Sequence, residues 1–279
     1  MTNIMSKRVF TAFFALMFLG VAYGQSFKDV YEKSIHENTK IAYPHVREAD
    51  VSWSKRIYRI IDLREKMNHP LYYPTEPVAD GRTNLMGIIL AEVKAGQINA
   101  YDGQDMNVNV TYADIERMLD AGEKEVPQTD LDGNVIGTTK ITIPIEEKLA
   151  DVKQIMIYEE WYFDKKHSSL QVRILALLPI SMAPNEMGNI DRVRLFWIRY
   201  DEFRDAFARH EAFNRFNDAQ RLSFDDLFMQ RRFSSVIFAE SNVYDDRVIN
   251  EYMVGKDVIF EAERIKTDLQ NFEHDLWEY

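Results

Sequence analysis

Glu159, Glu160 and Asp164 are the densest group of side chains in this chain that could move a proton or attack a bond. Carboxylates do such work in pairs that flank one bond, one as acid and the other as base or nucleophile. Their setting argues against it. The run Ile155–Phe163 (IMIYEEWYF) is rich in β-branched and aromatic residues and reads as a strand. Adjacent strand residues face opposite sides of a sheet, so Glu159 and Glu160 cannot address the same bond. Ion pairs across the sheet, to Arg173 or Arg194, are the simpler use for them.

Metal chemistry finds no better footing. Asp102, Asp105, Asn107 and Asn109, and separately Asp130, Asp132 and Asn134, carry parts of a calcium loop. Both lack the bidentate acid that closes a twelve-residue loop, and turns account for them. The histidines His36, His45, His69, His167, His210 and His274 show no H-x-x-x-H or E-x-x-H spacing. There is no cysteine, hence no disulfide, no thiolate nucleophile, no iron–sulfur site and no lipoprotein acylation site. No G-x-S-x-G, phosphate-binding loop or dinucleotide fingerprint occurs. The expectation is a protein without enzyme activity or cofactor.

One stretch mixes aromatic and basic residues. Between Phe203 and Phe233 lie Phe207, Arg204, Arg209, Arg215, Arg221, Arg231 and Arg232, a mixture that in a basic protein suggests single-stranded nucleic acid. Here Asp and Glu intervene and the net charge is −11, so nucleic acid is not expected as a partner. The stretch reads as helices whose apolar face carries arginine stems beside it, or as a protein interface.

The elements that hold these residues describe an α+β chain, with a small antiparallel sheet packed against helices. Leu170, Val172, Ile174, Ala176, Leu178 and Ile180 recur at period two, and Val193, Leu195 and Trp197 alternate with Arg194, Phe196 and Ile198. With Ile155–Phe163 they predict a three-stranded antiparallel meander at the centre. Val51–Met67 suits either a helix with one apolar face or a strand, and Asp50 as N-cap favours the helix. Three prolines between Asn68 and Pro77 exclude a helix there, leaving Leu71–Tyr73 fit only for a sheet edge. Asn84 or Thr83 caps a helix ending at Gly96, Thr111 caps another with Asp114 three positions on, and Ser223 caps a third from Phe224. Ile98–Tyr101 reads as a short strand, and Leu131–Asn134 as the turn between the strands Pro127–Asp130 and Val135–Ile143. Asp201–Glu211 is a further helix. The long last helix, Asp257–Trp277, sets Val258, Ala262, Ile265, Leu269, Phe272 and Leu276 on an a/d seam. Such a seam packs on the protein's own body or on another subunit.

Met1–Gly24 has the form of a secretory signal peptide. Lys7 and Arg8 precede the apolar run Val9–Val21, of about 13 residues against the ~20 of a spanning helix, and Ala22-Tyr23-Gly24 offers a cleavage site. The expected organisation is a cleaved leader over 1–24, a polar arm over 25–50, and one α+β domain over 51–279 with a sub-boundary near 145–152. Export places the mature protein in the periplasm of a two-membrane bacterium.

Several stretches resemble the gliding-motility protein N family of the Bacteroidota, which includes the corresponding subunit of the type IX secretion system. They are Trp53–Asn68 (WSKRIYRIIDLREKMN), His69–Pro74 (HPLYYP), Glu160–Asp164 (EWYFD), Arg173–Ile180 (RILALLPI), Leu195–Trp197 (LFW) and Phe224–Phe228 (FDDLF). They are family texture and identify no catalytic residue. The resemblance implies a non-enzymatic periplasmic subunit that forms a ring with an outer-membrane lipoprotein. It also implies that the ring couples to the periplasmic part of an inner-membrane motor. Self-association into a ring needs one patch on each subunit to meet a different patch on the next. The sequence offers Phe203, Phe207, Arg231, Arg232, Val258, Ile265, Leu269 and Phe272, together with the arm, as candidate contacts. The competing reading is a periplasmic hydrolase or peptidoglycan-binding domain centred on Glu159, Glu160 and Asp164.

Overall fold

Two long strands anchor the architecture. The computed structural model describes residues 38–275, apart from 77, 79–80, 130–134, 185–188, 216, 218 and 245. The expected leader, the first half of the arm, the Leu131–Asn134 turn and the end of the last helix lie outside the described residues. In chain order, Val51–Asp62 (β1) precedes a one-turn helix His69–Tyr72 (α1) and helix Leu85–Lys94 (α2). Ala100–Asp102 (β2) and Val108–Val110 (β3) form a ribbon before Tyr112–Met118 (α3). Gly122–Thr129 (β4) pairs with Val135–Ile143 (β5), and the short helix Ile145–Lys148 (α4) follows. The long strands are Val152–Asp164 (β6) and Ser169–Pro184 (β7), succeeded by Ile190–Arg194 (β8) and Ile198–Arg199 (β9). Then come Tyr200–Arg209 (α5), the ribbon of Glu211–Ala212 (β10) and Leu222–Ser223 (β11), and Phe224–Met229 (α6). Val236–Glu240 (β12), Ile249–Tyr252 (α7) and Asp257–Asp275 (α8) complete the described chain.

The fold is α+β, as expected, but the sheet is larger than a three-stranded meander. Its order is β12-β1-β6-β7-β8, with β9 also on β7, and every pairing is antiparallel. The expected third strand, Arg192–Arg199, is two pieces interrupted at Leu195–Trp197, and both pieces pair with β7. On the far side of β6 the sheet gains β1 and β12. Val51–Met67 is therefore not a helix. Residues 51–62 pair along nearly their whole length with β6, and that ladder outweighs a helical pattern supported only by spacing. The prolines of Asn68–Pro77 do not exclude a helix either: Pro70 sits in the first turn of α1, where its missing N–H leaves nothing unpaired.

The ladders of the sheet shift register at four places, two of them near the middle of its strands. Tyr158 pairs with Ala176 and Glu159 with Ile174, so Leu175 is an extra residue in β7; Phe238 is likewise extra in β12. A bulge raises local twist and reverses which face later residues occupy. Ile174 therefore joins the face that also holds Leu177, while Ala176, Leu178 and Ile180 join the other. The single apolar face expected for β7 is in fact divided between two cores.

On one face, Ile61, Ile155 and Ile157 meet α2 through Leu85, Ile88 and Ile89, and α5 and α6 through Phe203, Phe207, Phe224 and Phe228. Towards its other end Ile57 and Ile237 pack with Ile249, Ala262, Ile265 and Leu269 of α7 and α8, and the Trp53 and Phe272 rings lie 4.5 Å apart. On the opposite face Tyr58 and Tyr158, partners in the ladder, stack at 4.6 Å beside Trp197 and Tyr101. Helix caps follow the sequence closely. Asn84 accepts from the Gly87 amide, and Thr111–Asp114 and Ser223–Asp226 close reciprocal capping boxes. The fully buried Asn68 ties the end of β1 to the segment entering β12: it donates to the Asp62 and Ser234 carbonyls at 2.8 and 3.0 Å and accepts from the Ser234 amide at 2.8 Å.

Because the α8 seam is consumed inside the chain, Ile265→Ala should cost about 2–4 kcal/mol in urea unfolding. Phe260→Ala, on the exposed side of the same helix, should change stability by less than about 0.5 kcal/mol. A second expectation concerns acid. Hydrogen bonds from the Arg64 side chain, foremost, hold the Asp62 carboxyl down to about 2. A carboxyl held below its unfolded value stabilises the fold above that value and loses the contribution as pH falls towards 2. The stability gap between the wild type and Asp62→Asn should therefore be present at pH 7 and close between about pH 4 and 2 in denaturation curves.

Candidate functional site

The carboxylates that could do chemistry are held in three separate places. Glu159 is fully buried in the middle of β6, on the face of Ile155 and Ile157. Arg231 donates to it through Nη1 at 2.9 Å and Nη2 at 3.3 Å, and Trp161 Nε1 donates at 3.1 Å. The expected partners, Arg173 and Arg194, do not fill this role. The Arg231 guanidinium also lies over the Phe233 and Trp161 rings, at 5.2 and 5.5 Å from their centroids. Arg59 sits close by, donating to Ser235 Oγ at 2.9 Å; burial draws its guanidinium below its ordinary value, opposed by the charge of Glu159.

Arg231 reaches Glu159 from a backbone conformation that disfavours it. Its φ is +52°, the left-handed region, in the position just past the end of α6. Its amide bonds to the Phe228 carbonyl at 3.1 Å, and the Arg232 amide to Leu227 at 2.9 Å, the paired bonds of a Schellman close. After α2 the same place is taken by Gly96, with φ +67°. A side chain at this position costs about 1 kcal/mol. Arg231 stands there nonetheless, with its guanidinium on the buried carboxylate.

Glu160 points the other way. In the ladder it lies opposite Arg56 on one side and Arg173 on the other. Asp164 closes the turn after β6, accepting from the Lys166 amide at 2.8 Å and from His167 Nδ1 at 2.6 Å; chiefly that His167 bond holds its carboxyl below the ordinary range. No two of the three share a bond to act on. Among the described residues no cluster could hold a metal ion, and Asp102 is engaged by the Gly103 amide at 2.8 Å. The Asp130–Asn134 fragment lies outside the described residues.

A second buried pair anchors the arm. Arg204 and Asp225 are both buried, joined through Nε at 3.0 Å and Nη2 at 3.1 Å, and Tyr200 donates to Asp225 at 2.9 Å. Burial and the neighbouring Asp225 push the Tyr200 hydroxyl above its ordinary value, so it remains a donor. Burial works against the charge on Arg204, but Asp225 prevails and its pKa is raised. The Tyr43 ring packs between two guanidinium groups, Arg204 at 4.2 Å and Arg173 at 4.9 Å. Arg204 donates to the Ile41 carbonyl at 2.6 Å, Arg173 to that of Pro44, and Lys40 pairs with Asp205 at 3.2 Å. Residues 38–47 are irregular, as the composition suggested, yet they are strapped to the body.

Of the candidate contact residues, Phe203 and Phe207 are fully buried core aromatics, and Ile265 and Leu269 are buried in the α8 seam. Val258 and Phe272 are half-buried against the same cluster. Arg231 is spent on Glu159, and Arg232 alone of the set is exposed. Their apolar periodicity marked a core facing the chain itself. The Glu159–Arg231 and Arg204–Asp225 pairs were beyond sequence reasoning. Their members stand 72 and 21 positions apart, and the one faint signal was a helix end, Met229–Arg232, without glycine.

Residues 46–278 match the family model described as gliding motility associated protein GldN. No curated protein matches the chain.

Arg231→Gly relieves the left-handed backbone but strands the carboxylate. It should destabilise the protein by about 2–4 kcal/mol in urea unfolding, and adding Glu159→Leu should recover most of that loss.

Proposed function

The chain belongs to the family of gliding motility associated protein GldN, a component of gliding-motility and type IX secretion machinery, and from that premise we propose that it is a non-enzymatic structural subunit there. In this reading the protein is exported to the periplasm and forms a ring with an outer-membrane lipoprotein, through which it is held at the outer membrane. The ring meets the periplasmic part of the inner-membrane motor.

The observation that carries the reading is the extent of the match, which takes in every element from β1 to α8. The chemistry of the interior supports it. Glu159 and Asp225, the buried carboxylates with cationic partners, have their oxygens taken up by arginine, tyrosine or tryptophan donors, which suits a rigid part better than a general base. Among the described residues no helix is long and apolar enough to cross a membrane, so attachment through a partner fits the reading. Ring contacts then fall to exposed side chains: Arg232, and Val254, Ile259 and Phe260 around the start of α8, three exposed apolar residues close together in the chain.

The test is made in a strain lacking the chromosomal copy. Glu160→Gln with Asp164→Asn should restore cargo secretion to the wild-type level, and the tagged protein should bring down the lipoprotein from solubilised envelopes. Normal accumulation of the double variant with secretion lost would overturn the non-enzymatic reading. Absence of the lipoprotein from the eluate would overturn the ring.

A further inference from the structure

Residues 38–47 cross the body without joining a helix or strand, and none of them is buried. What holds them is a docking site on β6, β7 and α5. The Tyr43 ring lies between the Arg204 and Arg173 guanidinium groups, and Arg173 is backed by the Tyr162 ring at 5.5 Å. Arg204 and Arg173 each donate to a strap carbonyl, those of Ile41 and Pro44. Lys40 meets the Asp205 carboxylate at 3.2 Å and the Asp201 carbonyl at 3.3 Å. The receiving side has its own supports, since Asp225 fixes Arg204 and Tyr162 stands in the β6 ladder.

The strap thus has the character of a bound peptide: one ring seated between cations, two carbonyls accepted, one charge matched. Ile41, in its middle, is 75% exposed, so no apolar core ties it down. Its root is firm instead. The Asp50 carbonyl accepts from the Lys165 amide at 2.9 Å, and Arg47 pairs with the Asp50 carboxylate at 2.9 Å. Extended, the links from that root back to Pro44 span about 20 Å, enough to swing onto a body lying alongside. The same contacts are offered by every copy of the chain, so exchange between copies held side by side loses none of them.

We propose that in the assembled protein residues 40–44 of one copy dock on the Arg173–Arg204 site of the next. The inference rests on the ring reading and supplies its heterologous contact, because strap and site are different patches of each subunit.

The chain has no cysteine, so introduced thiols are the only ones. Lys40→Cys and Asp205→Cys, on separate chains with different tags, are co-expressed in the strain lacking the chromosomal copy, and envelopes are treated with a short bismaleimide. A species of twice the chain mass carrying both tags should form. Tyr43→Ala added to the Lys40→Cys chain should cut it severalfold, since the ring seats the strap. With both cysteines on one chain, a ladder of multiples should appear. Linkage confined within single chains, absence of the mixed species, or equal cross-linking from either variant alone would overturn the proposal. So would an equal yield with Lys266→Cys, on the exposed side of α8, in place of Asp205→Cys. Pull-down of the lipoprotein from the same envelopes separates the two readings. Its presence without the mixed species sinks the strap exchange and leaves the ring standing; its absence overturns the ring, and the mixed species then decides the strap contact alone.

Discussion

A carboxylate buried in the middle of a strand cannot stand alone, and Glu159 is one. Left without a cation in an apolar interior it would cost several kcal/mol. Arg231 supplies the cation from the far end of α6, and the demand is strong enough to place an arginine where glycine is the easier residue. That ion pair ties the end of α6 to the sheet, and Phe224, Leu227 and Phe228 of the same helix share the larger core with Ile155 and Ile157.

The second buried pair extends the same logic outward. Asp225, on the first turn of α6, holds Arg204 of α5, and Arg204 in turn holds the backbone and the Tyr43 ring of the arm. The sheet, two helices and the N-terminal strap are therefore linked through alternating charges. Such pairs add little net stability compared with apolar packing, but they are intolerant of misplacement.

Sequence patterns disclosed what local physics determines. Asn84, Thr111 and Ser223 cap their helices through bonds spanning three residues, and those starts were legible. β6 was legible from its β-branched and aromatic density and β7 from its period-two apolar spacing. β1 was not, because Ile57 and Ile61 on one side and Tyr58 on the other are all buried, which blurs alternation into something a helix also fits. The candidate site suffered most. Apolar seams on α5 and α8 told that a partner existed, and the partner proved to be the same chain. Glu159 drew attention as a possible catalyst because it is an acid in a greasy run. Its cation came from a loop that no spacing rule connects to it.

The extra residue Leu175 has a consequence for how this chain can vary. Upstream of it odd and even positions of β7 have one assignment to the two cores, and downstream they exchange roles. Inserting or deleting a single amino acid near that point would turn the whole distal half of the strand inside out, sending Ala176, Leu178 and Ile180 to the wrong core. Side chains there can be traded for others of similar bulk, whereas the number of links between Ile174 and Leu177 is fixed. The permitted drift of this part of the protein is substitution without indels.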